Sequence, residues 1–228
     1  MNLSENLSNS FEYAKKLFSD AGTLIILIVL HIVPVVNWIV VGYATKALKE
    51  SPGTDNPPKL ERYGDLFIEG AKVTVVSLIY MLVPAIIVGA GIGYSIAVGV
   101  MRRGPDFMRD LRIGEIFLAG GMGLVLVIAG VLVTFVTLIV LAAGVAHMTK
   151  TGSFGKAFAF GEILGIIRKI GWGKYLAWIV LAAIIAVTVS ALTGIVPLIG
   201  WILQAIISPA LMVFFFRSLG LLYSEVTK

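Results

Sequence analysis

Residues 175–216 read YLAWIVLAAIIAVTVSALTGIVPLIGWILQAIISPALMVFFF, between Lys174 and Arg217, without one charged side chain. A helix that crosses a bilayer needs about 20 apolar residues. This run is too long for one crossing, and Gly194-Ile-Val-Pro197 divides it, because proline is ill-suited to a helix interior. Charge-free runs recur upstream at 21–45, 73–101 and 116–149. The spacing predicts five hydrophobic segments, at about 22–48, 72–100, 114–148, 173–194 and 197–223. Helices are the default, since lipid cannot hydrogen-bond an exposed sheet edge and no ten-residue alternation marks a barrel. The expected fold is an all-α integral membrane protein, a single polytopic domain over residues 1–228 built as a bundle of about five transmembrane helices.

Composition agrees. The 228 residues are 58% hydrophobic and 14% charged, against about 45–50% and about 25% in an ordinary soluble domain. Mean hydropathy is +0.98. A soluble globule cannot hide that much apolar surface. With no cysteine, disulfides, thiolate nucleophiles and iron–sulfur clusters are excluded. The first twenty residues are mostly polar, so no cleaved secretory signal is expected.

Three polar stretches read as amphipathic interfacial elbow helices, at 8–20, 58–71 and 153–171. In the second, Glu61, Asp65 and Glu69 share one helical face. They could hold a divalent cation, but Lys59, Arg62 and Lys72 make a solvated, paired face the simpler expectation. The 18 Lys and Arg outnumber the 13 Asp and Glu. Basic loops face the cytoplasm. If all five segments cross, twelve basic residues lie on one side and six on the other. Pro34 interrupts the first segment, which could instead be a re-entrant hairpin; the division then becomes fourteen against four. A kinked full crossing is preferred, because Lys46 follows at a natural spanning distance. The loop at 101–115, with Arg102, Arg103, Arg109 and Arg112, falls on the outer side either way.

Ile32-Val-Pro-Val-Val-Asn-Trp-Ile-Val40 echoes Ile195-Val-Pro-Leu-Ile-Gly-Trp-Ile-Leu203, with five identical positions. Internal duplication, as in many transporters, and chance in so Ile-, Val- and Leu-rich a chain both account for it. For helix packing, small residues that admit a neighbouring backbone form ladders at Gly89, Gly93 and Ala97 and at Ala182, Ala186, Ser190 and Gly194.

No ionisable residue stands at mid-depth in a predicted span, which argues against a proton relay or voltage sensor. His31, Asn37 and Gln204 form a possible polar intramembrane cluster, either an ion path or interhelical hydrogen bonds that order the bundle. His147, at a helix end, is read as structural. No motif supplies a nucleophile with its base or a metal cage. No catalytic, cofactor-binding or metal-ligating residue is assigned, and the chain is expected not to be an enzyme.

Pro34 through Gly42-Tyr43, Pro57-Pro58, Tyr63-Gly-Asp-Leu-Phe67, Gly70-Ala-Lys72 and Tyr80 together resemble the archaeal and bacterial membrane proteins grouped as domain of unknown function 4013. The turn departs from that pattern, with Pro-Pro-Lys-Leu in place of a Leu-Pro-Glu-like sequence. The resemblance implies a multi-pass protein of a prokaryotic, above all archaeal, plasma membrane, and no agreed activity. The expected role is a structural or accessory subunit that meets membrane lipids and a protein partner or second copy, without nucleic acid. The alternative is a small transporter or channel with a path near His31, Asn37 and Gln204.

Overall fold

The computed structural model describes residues 1–104, 114, 121–195 and 199–227. Their regular structure is all helix, with no strand among the described residues. The order is α1 (Leu3–Lys15), a 3-10 turn (Lys16–Ser19), α2 (Ala21–Ile32), α3 (Trp38–Glu50), α4 (Tyr63–Arg103), α5 (Gly121–Thr151), a second 3-10 turn (Phe154–Phe158), α6 (Phe160–Ile170), α7 (Trp172–Gly194) and α8 (Ile199–Ser224). The chain forms two compact units: residues 1–76 with 140–228, and residues 77–139. The boundaries fall inside α4 and α5.

Four helices, α4, α5, α7 and α8, are long and apolar enough to cross a membrane. The predicted segment 22–48 differs. It is two helices of 12 and 13 residues separated by Val33–Asn37. Val33, before Pro34, is extended, as the clash with a following proline ring favours. Val35 then takes a positive φ of 70°, which turns the chain. Each half is about 18–20 Å long, short of the about 30 Å hydrocarbon core. The segment also returns to where it began: Lys16 Nζ donates to Asp55 O at 2.6 Å and to Asn56 Oδ1 at 3.0 Å. Chain entering α2 and chain leaving α3 are therefore neighbours, and the preferred kinked rod is replaced by a helical hairpin.

Local signals explain the helix ends. Asn2 and Glu5 form a reciprocal capping box at the start of α1. Asp20 accepts from the Thr23 amide at 3.1 Å and caps α2. Gly171, at φ 96°, allows the sharp turn between α6 and α7. Residues 58–71, expected as a separate surface helix, instead supply from Tyr63 onward the first turns of the long α4. Residues 8–20 fall in α1 and the turn after it, and residues 153–171 in the second 3-10 turn and α6.

In the first unit, α3 lies against α4 and α8 with backbones almost touching. A Cβ on Gly42 would stand 1.8 Å from Leu66 O, and one on Gly70 1.7 Å from Trp38 O. At Gly220 it would come within 2.7 Å of Leu48 O. Leu17, Leu27, Val40, Tyr43, Leu66 and Val213 fill the core beside these crossings. In the second unit, Gly91 meets Gly123 O and Val127, and Gly130 meets Val88. The packed face of α4 there holds Gly91, Ser95 and Gly99. The expected ladder Gly89, Gly93 and Ala97 lies on the exposed side, and no atom stands within 4 Å of a Cβ built on Gly89 or Gly93. Along α7, Ala182 and Ala186 are half-buried while Ser190 and Gly194 are exposed. The copies of the echo both fall at helix boundaries, although Val196, Pro197 and Leu198 lie outside the described residues, as does most of the 101–115 loop.

Gly70→Ala should lower the detergent-solubilised melting temperature by about 4–8 °C, the shift for a loss of about 2 kcal/mol in a chain of this size. Gly64→Ala, where no atom lies within 4 Å of the added carbon, should leave it unchanged or raise it slightly. Equal melting of the two variants would refute the close crossing.

Candidate functional site

The polar end of the first unit is organised around the last carbonyls of α3, which a helix leaves unpaired. Lys150 of α5 donates to Lys49 O at 3.1 Å and to Ser51 O. Ser224 of α8 also donates to Ser51 O, at 3.2 Å. Ser51 Oγ donates to Ala47 O at 2.9 Å and accepts from Arg217 Nη1 at 3.2 Å. Cations there complement the negative end of the α3 dipole.

Arg217 is the centre of this cluster and is only 1% exposed. Its Nε and Nη2 both donate to Asn9 Oδ1 at 3.3 Å. Nη2 is 3.7 Å from the carboxylate of Asp55, which is 84% exposed. The guanidinium carbon lies 4.4 Å from the centre of the Tyr13 ring, a cation–π distance. Burial pushes the Tyr13 phenol up to about 12, with the Arg217 charge pulling the other way. Next to it, Trp178 Nε1 donates to Ser218 Oγ at 2.7 Å, Ser218 Oγ donates to Asn6 Oδ1, and Asn6 Nδ2 donates to Ser218 O at 3.1 Å.

A second chain of bonds ties α5, α6 and α8. His147 Nδ1 lies 2.8 Å from Tyr223 Oη, and its Nε2 lies 2.7 Å from Glu162 Oε2. A neutral ring that donates from Nε2 to the carboxylate accepts at Nδ1 from the phenol, so both bonds form in one tautomer. Lys156 holds the other Glu162 oxygen at 2.5 Å. Hydrogen bonds from Lys156 first, then His147, keep the Glu162 carboxyl below the ordinary carboxylate range. At the chain ends, Lys174 bridges Glu225 at 2.5 Å and Met1 O at 2.7 Å.

Beside this cluster a groove of about 460 Å³ opens between α3 and the start of α4. Its walls carry both signs, with Lys46, Lys49 and Arg62 facing Glu50, Glu61 and Asp65. The acidic stripe is paired: Glu61 with Lys46 at 4.0 Å, Asp65 with Arg62 at 2.5 Å and Glu69 with Lys72 at 2.7 Å. Among the described residues no group of three His, Cys, Asp or Glu side chains is placed to hold a metal ion.

Gln204 Oε1 accepts from Thr193 Oγ1 at 2.6 Å and its Nε2 donates to Ser208 Oγ at 3.4 Å. His31 ends α2 and Asn37 precedes α3; His31 Nδ1 and Asn37 Oδ1 are buried without a hydrogen-bond partner. The sequence marks Arg217 only as the end of the last charge-free run and does not single it out as a hub. The signal lay in α1, where Asn6, Asn9, Ser10 and Tyr13 recur at helical spacing.

The helices of the described residues, four of them candidate spans, mark a multi-pass membrane protein. The chain belongs to the family described as Protein of unknown function (DUF4013), whose model matches residues 25–198. No curated protein and no solved structure matches it. The signature residues of that resemblance have a physical role here. Gly42 and Gly70 admit neighbouring carbonyls, and Tyr43 Oη donates to Pro58 O at 2.8 Å. Together they fasten α3, the proline turn and α4.

Arg217→Ala should cost about 2–4 kcal/mol of stability, whereas Asp55→Asn should cost less than about 1 kcal/mol, because the first empties a buried site and strips Asn9 and Ser51 of their donor and the second loosens an exposed pair. Comparable losses in thermal unfolding would remove Arg217 from its central place. The depressed Glu162 carboxyl contributes stability above its unfolded value, and that contribution fades as pH falls through the folded one. The stability gap between wild type and Glu162→Gln should thus hold steady from neutral pH to about 6 and close below the ordinary carboxylate range.

Proposed function

We propose that this protein is an accessory subunit of a prokaryotic plasma membrane that acts by binding, and that its polar end recognises anionic lipid headgroups. The observation that carries this reading is the convergence of α1, the end of α3, α5 and α8 on the buried Arg217 and Lys150 cluster. With α2 and α3 as a re-entrant hairpin, four crossings leave both termini on one side. That agrees with the 3.8 Å approach of the Met1 ammonium to Glu225. Fourteen of the 18 Lys and Arg then share the side of the termini, and four, at 102, 103, 109 and 112, the other. Such an asymmetry orients the basic side to the cytoplasm. Each basic residue near an anionic surface is worth about 1 kcal/mol, so this end suits lipid headgroups by charge alone. A protein partner or a second copy would use the same end.

A transport path is the second reading. It is favoured by His31 Nδ1 and Asn37 Oδ1, two buried polar atoms without partners beside the Pro34 break. It is weakened by Gln204, which is satisfied within α7 and α8.

The cysteine-free chain permits a clean topology test. Single cysteines in place of Ser8, Asp55 and Thr227 should react with an impermeant maleimide from one side of the membrane, and Asp106→Cys from the other. Labelling of Ser8→Cys from the Asp106 side would restore five crossings. Wild-type protein in detergent should retain phosphatidylglycerol in preference to phosphatidylcholine, as read by native mass spectrometry; equal retention would overturn the headgroup reading.

A further inference from the structure

We propose that two adjoining apolar grooves along α1 seat one two-chain anionic phospholipid, with Lys15 at its phosphate; this deepens the lipid-binding reading and rests on it. The first groove, of about 420 Å³, is lined by Ala14, Phe18, Val189, Ile207 and Leu211, among other apolar residues, and by one charged residue, Lys15. The second, of about 570 Å³, runs along Leu3, Leu7 and Leu181. Phe11, Ile185 and Phe214 belong to both, so the grooves meet along a shared wall. Two adjoining apolar channels with one cation at the rim match two acyl chains that diverge from one anionic headgroup.

Helix α1 points to the same occupant. Its polar residues Asn6, Ser10 and Tyr13 are buried against the bundle, whereas Phe11 and Phe18 stand 60% and 51% exposed. The rest of that outer side is polar, with Ser4, Ser8, Glu12 and Lys15 exposed, so the rings stand among groups suited to a headgroup region. The grooves also lie where the polar end gives way to an apolar surface. On α7, Trp178 is bonded to Ser218, while Val180, Ile184 and Val187 beyond it are exposed. A lipid there keeps its chains beside those residues and its phosphate at the polar margin. Lys15 can reach it: its side chain is 63% exposed, and its ion pair with Glu12, at 3.9 Å and exposed on both sides, is weak enough to exchange for a phosphate. Lys16, the next cation, is already engaged by the 55–56 backbone and amide.

The test is native mass spectrometry of the full chain in detergent with equimolar dioleoyl phosphatidylglycerol and dioleoyl phosphatidylcholine. Wild type should carry one tightly held phosphatidylglycerol. Lys15→Gln should lower the ratio of phosphatidylglycerol to phosphatidylcholine about fivefold. Val189→Trp, which fills the first groove from a half-buried position, should reduce adducts of both lipids while thermal melting reports that the fold persists. A wild-type preference that survives in Lys15→Gln, or lipid adducts undiminished in a folded Val189→Trp, overturns this site and leaves the general headgroup reading standing. A wild type without preference overturns that reading, and the site with it. Should Val189→Trp not fold, Lys15→Gln alone decides.

Discussion

A guanidinium enclosed at the end of an apolar bundle must have its donors met, because an unpaired buried charge costs several kcal/mol. Arg217 meets that condition with groups from separate parts of the chain: Asn9 from α1, Ser51 from the end of α3, Asp55 from the turn that follows, and the Tyr13 ring. None of these can satisfy it alone. The condition therefore gathers α1, α3 and α8 at one end of the first unit. The Lys16 contacts with residues 55 and 56 then require the α2–α3 segment to double back. The topology follows from where one cation finds its acceptors, and Lys150, on the same carbonyl cap, extends the arrangement to α5.

The parts of this fold that hydropathy controls were legible in the sequence. Uninterrupted apolar runs mark α4, α5, α7 and α8, since lipid admits little else at that length. Residues 22–48 show where hydropathy stops being informative. A rod kinked at Pro34 and a hairpin turned at Pro34 have the same composition and periodicity. What separates them is a contact between residues 16 and 55–56, which no local pattern encodes. Arg217 was obscured for a similar reason. A cation at the end of an apolar run ordinarily extends its stem to the interface, and only the polar face of α1 on the other side distinguishes an inward arginine from an outward one.

Glycine was the other ambiguous signal. Around residue 91, α4 carries two small ladders on different faces, Gly89–Gly93–Ala97 and Gly91–Ser95–Gly99. Spacing qualifies both. The partner decides, and α5 offers Gly123, Val127 and Gly130 to the second. At Gly42 and Gly70 the same physics leaves no such freedom, because each receives a carbonyl closer than any side chain could tolerate. Among the residues that carry the resemblance to the family, these two are set by backbone contact, whereas Leu, Ile and Val on the outer surfaces can exchange with little consequence.

The hub and the lipid grooves are two faces of one helix. Turning Asn6, Asn9 and Tyr13 towards α8 satisfies Arg217 and Ser218, and the 100° periodicity of α1 then sends Phe11 outward. With the 3-10 turn that follows, Phe18 joins it. That outward side is mixed, since Ser4, Ser8, Glu12 and Lys15 are exposed beside the rings. In water that arrangement would expose aromatic surface at a cost of about 25 cal/mol per Å², with no compensating gain. Against lipid the cost disappears, and the outward rings become part of the protein's fit to its solvent. The buried arginine and the exposed phenylalanines are thus consistent only if α1 lies at the boundary between the polar end and the hydrocarbon, where both of its faces are matched.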